Sequence, residues 1–219
     1  MQILITSAYV ILGIIAFVIV YQLLVRLVRR YAKFPAPAFI GKFLDSDLRR
    51  RWQPPQKIIS DSGINTGVTA LEVGCGSGAF TVDAARAIGN AGNLYALDIG
   101  EDMLKLLRGK LERPANSDIN NISVLHNSAY DIQLPDNSID IIFMVTVFQE
   151  IPDKQRALAE FKRVLKPSGT LAISEWFFDP DYPWMSTTRK QCEQGGFTFK
   201  EAHGNIWSYT LSFNKGNQF

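Results

Sequence analysis

The chain has 219 residues, 47% of them apolar, with 23 Lys and Arg against 21 Asp and Glu for a formal net charge of +2. That length allows one domain of ordinary size plus an appendage, and that apolar share is enough for a core. The only cysteines, Cys75 and Cys192, exclude a disulfide framework and a cysteine-based metal cluster, and they point to a reducing compartment.

From Ile3 to Val25 no residue is charged, and about 20 apolar residues suffice to cross a bilayer core. A secretory signal peptide carries its basic residues before the apolar stretch and a small-residue cleavage site after it. Here Arg26, Arg29, Arg30 and Lys33 come after the stretch and no such site is present. Residues 1–28 therefore read as an uncleaved transmembrane signal anchor, and the positive-inside rule then puts the remainder of the chain in the cytoplasm. Residues 26–57 hold nine basic and two acidic residues, whereas residues 58–219 hold 14 basic and 19 acidic. Anionic headgroups attract juxtamembrane Lys and Arg by about 1 kcal/mol each, so the basic segment reads as a membrane-facing patch. A nucleic-acid partner is not expected, because the run has few interleaved aromatics, Tyr31, Phe34, Phe39, Phe43 and Trp52, and adjoins the expected anchor.

Residues 29–62 read as a linker with entrance helices. Phe34-Pro-Ala-Pro-Ala-Phe39 is an extended connector. Residues 40–52 have the pattern of an amphipathic helix that Pro54-Pro55 stops, and residues 56–62 that of a second helix. An alternating α/β domain occupies residues 63–219. Its first strand runs through Thr69-Ala-Leu-Glu-Val73 into Gly74-Cys-Gly-Ser-Gly78. Glycines at alternate positions permit positive φ and leave no Cβ to block a ligand on the backbone, and the following helix, residues 79–88, offers free N–H groups at its start. The spacing differs from the G-x-G-x-x-G of dinucleotide folds. Glu72, two residues before the first glycine, suits a ligand carrying a cationic amine better than one carrying two phosphates.

The next strand, Asn93 to Asp98, ends in an acid twenty residues beyond Gly78. That spacing lets a carboxylate accept hydrogen bonds from both hydroxyls of a ribose; a helix-capping role for Asp98 is the alternative. A helix over residues 103–113 comes next, in which Met103 either packs on a ligand ring or is a core residue. A strand over Ile122–His126 succeeds it. The run Asp140-Ile-Ile-Phe-Met-Val-Thr-Val-Phe148 is apolar enough for a central parallel strand covered on both faces. It brings Thr146, Phe148 and Glu150 to the carboxyl end of the sheet, where ligands bind in open α/β folds. Residues 154–165 read as a helix, Pro167-Ser-Gly169 as a turn, Thr170 to Glu175 as a strand, and residues 197–202 and 206–213 as a closing antiparallel pair.

The wording LEVGCGSG, the acid Asp98, the Leu134-Pro segment and the run Arg163-Val-Leu-Lys-Pro-Ser-Gly169 stand in the order of the motifs of class I S-adenosylmethionine-dependent methyltransferases. Over residues 68–176 the chain resembles the type 11 branch of that family, which contains quinone and small-molecule C-methyltransferases. The resemblance implies a Rossmann-like, doubly wound, seven-stranded, mostly parallel sheet, here preceded by one transmembrane helix. It also implies S-adenosyl-L-methionine held by Glu72, Gly74, Cys75, Gly76, Ser77, Gly78, Asp98, Ile99, Met103, Ser128, Ala129, Val145 and Thr146. Ser128 stands where the family commonly has the Asp that approaches the adenine amine, and Ser168 replaces the first glycine of the late motif.

No metal site is expected. A general base is needed only if the acceptor must lose a proton; Glu150, then His126 and Glu175, are the candidates, each with a structural alternative as helix cap, hydrogen-bonded strand histidine or ion-pair partner. The anchor points to a lipophilic acceptor, a quinone precursor or a lipid. A catalytically inactive, membrane-tethered cofactor-binding scaffold is the rival reading, and a nicotinamide-dependent oxidoreductase conflicts with the G-x-G-x-G spacing.

Overall fold

A computed structural model describes residues 47–216 without interruption and, before them, residues 6, 7, 9, 10, 12–14, 16, 17, 20, 21, 24 and 25, all of which are helical. Among the described residues no helix is long and apolar enough to cross a membrane. The remaining positions of the expected anchor, the basic residues from Arg26 to Lys42, the proline connector and the first half of the first entrance helix lie outside the described residues.

The described chain starts with α1 (Asp47–Trp52) and α2 (Pro55–Asp61). Then come β1 (Thr69–Val73), α3 (Thr81–Ile88), β2 (Asn93–Asp98), α4 (Glu101–Leu111), β3 (Ile122–His126), β4 (Ile139–Val145), α5 (Lys154–Val164), β5 (Leu165–Trp176), α6 (Met185–Gln194), β6 (Phe197–Gly204) and β7 (Ser208–Lys215). They build one seven-stranded sheet in the order β3-β2-β1-β4-β5-β7-β6. The expected Rossmann-like, seven-stranded, mostly parallel sheet is present, whereas the transmembrane helix expected before it is not found among the described residues. β1 to β5 pair in parallel, and β7 runs antiparallel to both neighbours, because the short Asn205–Trp207 turn permits a hairpin but not a crossover.

The apolar runs explain the two layers. Leu71, Val73, Ile142, Met144, Leu171 and Ile173 face one core with Phe161 and Leu158 of α5. Ala70, Ile141, Phe143 and Ala172 face the other with Ala84, Ala85 and Ile88 of α3 and Ile58 and Ile59 of α2. Successive strand residues thus enter opposite cores, as a sheet covered on both faces requires. α1 is tied to this body by Arg50, whose guanidinium forks onto Asp83 of α3 at 2.9 and 3.1 Å and reaches the Ala79 carbonyl at 3.2 Å.

Several boundaries differ from the sequence reading. The helix after the glycine loop begins at Thr81, two residues late, with Phe80 at φ −116 as its N-cap residue. β4 stops at Val145 rather than Phe148, because Thr146 turns to φ +54 and a single 3₁₀ turn, Phe148–Glu150, comes after it. β5 leaves α5 directly at Leu165, and its register to β4 jumps between Ile139↔Leu165 and Ile141↔Thr170, so the Pro167-Ser-Gly169 turn becomes a bulge. The final hairpin is longer than expected: the Asn205 side-chain oxygen accepts the Trp207 N–H at 2.8 Å, which puts Ile206 and Trp207 in the turn instead of in β7.

Candidate cofactor and acceptor site

Adjacent strands β2, β1 and β4 end side by side, and the site grows from their carboxyl ends. The N–H groups of Gly74 and Cys75 both donate to the Leu97 carbonyl, at 2.8 and 3.0 Å, so the loop leaves β1 bound to β2. Gly74, Gly76 and Gly78 have φ of +72, +54 and +83. A Cβ at Gly74 would sit 2.6 Å from Val147 and one at Gly78 2.6 Å from Leu107, so these two glycines let the body close around the loop. A Cβ at Gly76 would meet nothing within 4 Å. That position presents bare backbone to open space, which is what a ligand lying on the loop requires.

Asp98 organises the neighbouring turn. Its Oδ2 accepts the Gly76 N–H at 2.8 Å and its Oδ1 the Gly100 N–H at 2.7 Å, and Gly100 is the N-cap residue of α4, with no side chain of its own to cap it. One carboxylate therefore holds the glycine loop against the end of β2 while lone pairs remain for a ligand. Ile99 beside it is 63% exposed, an apolar surface next to an acid. Met103 is 7% exposed and packs under Gly100.

Glu72 is 3% exposed and accepts the Thr81 hydroxyl at 2.6 Å. Burial pushes its carboxyl up to about 8, the Asp98 charge adds to this, and the Thr81 hydrogen bond and Lys110 oppose it. Lys110 of α4 also donates to the Gly78 carbonyl at 2.6 Å. Cys75 is buried with Ala96, Leu104 and Leu107. Burial, with Glu72 and Asp98 nearby, pushes its thiol well above the usual range, so it is a packing residue and not a nucleophile. Ser77 is buried in the loop.

Val145, 8% exposed, ends β4. Thr146 then adopts a left-handed conformation that a β-branched side chain rarely takes. Its N–H donates to the Ser174 carbonyl at 2.8 Å, its hydroxyl donates to the Val145 carbonyl at 2.7 Å, and the same oxygen accepts Arg49 Nη2 at 3.0 Å. Arg49, 5% exposed in α1, also lies over the Phe80 ring at 5.4 Å and donates to Gln53 at 3.0 Å. The entrance helix is thereby latched to the end of β4. On the adenine side expected from the sequence, Ser128 serves its own loop: its hydroxyl accepts the Tyr130 N–H at 3.2 Å and its carbonyl the Asp131 N–H at 3.1 Å. Ala129 packs partly buried against the larger core.

The three candidate bases do not converge. His126 ends β3, which lies three strand steps from β4, about 14 Å at 4.8 Å a step. Its Nε2 is 3.0 Å from the Ile99 carbonyl and its Nδ1 3.4 Å from Glu101, so it braces the Asp98 turn. Glu150 is half-buried in the 3₁₀ turn after β4. Glu175 is 0% exposed, with neither carboxyl oxygen within hydrogen-bonding geometry of a partner. Burial first, then Asp179 and Glu150, push it well above the ordinary carboxylate range, eased by Lys154 and the Gln149 backbone N–H. Burial thus disfavours its charged form and places no proton-accepting carboxylate at an open surface.

Arg49 and Lys110 escaped the sequence reading. Lys110 stands three residues after Leu107 on the α4 face that meets the glycine loop, a signal legible once that face is known. Arg49 and Thr146 are 97 residues apart in sequence, and no local pattern joins them. Among the described residues no cluster of His, Cys, Asp and Glu has the makings of a metal site.

A family model for a methyltransferase domain, type 11, matches residues 71–173. Demethylmenaquinone methyltransferase of Staphylococcus aureus is 31% identical over 136 residues, covering 62% of this chain and 54% of that protein, so the chain spans about half the length of the curated relatives it matches. The crystal structure of a SAM-dependent methyltransferase from Aquifex aeolicus superposes with a TM-score of 0.75 at 27% identity, over 82% of this chain and 98% of that one. An arsenic(III) S-adenosylmethionine methyltransferase from Chlamydomonas reinhardtii shares the fold, with a TM-score of 0.58 at 18% identity over 84% and 75% of the two chains. The residues fit that cofactor: two carboxylates, Glu72 and Asp98, flank an open glycine loop, as a ligand with a cationic end and a ribose diol demands. Residues 71–173 thus match the methyltransferase domain family, and the chain has the fold of class I S-adenosylmethionine-dependent methyltransferases.

Proposed function

We propose that the chain transfers a methyl group from S-adenosylmethionine to a lipophilic small molecule, a quinone precursor or a lipid, at a membrane surface, with residues 1–28 as a single-pass anchor and the domain in the cytoplasm. The observation that carries the transfer reading is the Asp98 carboxylate bound to the N–H groups of both Gly76 and Gly100 beside an open loop. The cofactor supplies an electrophilic methyl group already activated by its sulfonium charge. The protein's part is therefore largely positioning. Asp98 orients the ribose hydroxyls, Glu72 favours the cationic end, Ile99 offers an apolar face, and Thr146, latched by Arg49, shapes the edge toward the acceptor.

The lipophilic acceptor is supported by the similarity to a demethylmenaquinone methyltransferase over 62% of this chain. The anchor is supported by the uncharged run from Ile3 to Val25 and by the exposure of large apolar residues described between Tyr9 and Leu24, from 54% at Val20 to 71% at Phe17. Labelled S-adenosylmethionine incubated with the detergent-solubilised chain and a membrane extract of the native host tests the proposal. A labelled product that partitions into organic solvent is expected; label confined to water-soluble molecules removes the lipophilic acceptor.

A further inference from the structure

All four tryptophans of the chain, Trp52, Trp176, Trp184 and Trp207, come from separate segments and meet in one continuous ring cluster beyond the end of β5. Phe178 is its hub, with ring centroids 6.3 Å from Trp52, 5.3 Å from Trp176 and 6.3 Å from Trp207. Phe177 and Tyr182 carry the cluster on to Trp184 through contacts of 5.5 and 6.0 Å. Contacts of this kind favour one fixed arrangement of the rings. The outer surface is nevertheless open: Trp52 is 61% exposed, Phe178 44%, Trp184 60%, Ile206 60% and Trp207 52%. Contiguous apolar surface of this kind marks an interaction site rather than chance exposure.

We propose that this cluster is a bilayer-docking surface that seats the methyltransferase domain on the headgroup–acyl boundary, so that the end of β5 faces the lipid. The inference deepens the membrane reading above and rests on it for its orientation. Three observations select the occupant. Tryptophan is the residue favoured at membrane–water boundaries, where its ring is buried and its N–H stays hydrated. Trp52 closes α1, and the chain leading into α1 is the basic run that begins at Arg26, directly after the uncharged stretch. Exposed Arg51 adjoins Trp52, which pairs the aromatic surface with cationic charge of the sign that anionic headgroups attract. Arg49 and Arg50 hold α1 on Thr146 and Asp83, so Trp52 is positioned by the same helix that borders the candidate site.

Because every tryptophan belongs to the cluster, intrinsic fluorescence reports on it alone. The full chain is reconstituted into phosphatidylcholine–phosphatidylglycerol vesicles with lipids brominated near the headgroup or deep in the acyl chain. Strong quenching by the shallow bromines, with emission shifted to shorter wavelength, is expected. The double variant Phe178→Glu, Ile206→Glu keeps all four tryptophans and should lose most of that quenching; its thermal unfolding and S-adenosylmethionine titration verify that it is folded. Flotation of the same vesicles reports the anchor separately. A chain that floats yet escapes quenching overturns the docking surface and leaves the anchor standing, and one that neither floats nor is quenched overturns both. A blue-shifted emission that brominated lipid cannot quench means that protein, such as a second copy, covers the rings, and it also overturns the proposal.

Discussion

Cofactor binding should expel a proton from Glu72. Its carboxyl is 3% exposed and pushed up to about 8, so at pH 7 about nine-tenths of the ligand-free molecules carry that proton, the group being about one unit below its midpoint. A cation brought near favours the carboxylate. If binding lowers the midpoint by about two units, equivalent to about 2.7 kcal/mol of attraction, about 0.8 proton leaves per cofactor bound at pH 7. The complex binds fewer protons than the free protein, so affinity rises between about pH 6 and pH 8, by up to about tenfold per unit, and levels off on either side. Calorimetric titration at pH 7 in phosphate and in Tris, whose ionisation heats differ, counts the protons. Glu72→Gln should abolish the release and flatten the pH dependence. The same burial acts on folding: the folded state keeps a proton that the unfolded chain loses, so wild-type stability falls as pH rises from about 4.5 to about 8, by at most roughly 5 kcal/mol, and the glutamine variant escapes that fall. No proton release and a flat affinity between pH 6 and 8, or equal release from Glu72→Gln, would refute the reasoning.

The site makes three further outcomes measurable. Asp98→Ala removes the acceptor for the Gly76 and Gly100 N–H groups; hydrogen bonds to a charged group are worth about 1.5–3 kcal/mol each, so S-adenosylmethionine affinity should drop by about 100-fold or more in the same titration. The loop glycines should separate stability from binding. Gly78→Ala collides with Leu107 and lowers the urea midpoint, whereas Gly76→Ala meets no atom within 4 Å, costs about 1–2 kcal/mol for its positive φ and loses cofactor affinity through the methyl group on the open face. Glu175→Gln replaces a buried acid held above the ordinary carboxylate range. Wild type should lose stability as pH rises above about 4.5 because only its folded state retains that proton, so the variant's advantage in urea unfolding should be greater at pH 8 than at pH 5; equal advantage at both refutes a neutral buried acid.

Legibility tracked the range of the forces involved. The glycine loop and the strand-final acid were readable because positive φ at Gly74, Gly76 and Gly78 and the approach of Asp98 to that loop arise from residue chemistry and short spacings. The end of β4 was not, because the apolar run continues to Phe148 while Thr146 is bent back by bonds to Ser174 and Arg49, 28 and 97 residues away. The sequence ranked Glu150 ahead of His126 and Glu175 without showing how they meet; sheet order separated His126 from Glu150, and burial disfavours the charged form of Glu175.

By itself, the sequence determined the alternating α/β plan, the seven strands and the place of the glycine loop, because hydrophobic periodicity and glycine conformation are local properties. It also carried the uncharged stretch and the basic run after it. Only the tertiary structure decided that β7 lies between β5 and β6, that α1 reaches Thr146 through Arg49, and that four scattered tryptophans share one exposed surface. Those depend on which strand ends meet in space, a matter of global packing that no window of neighbouring residues contains.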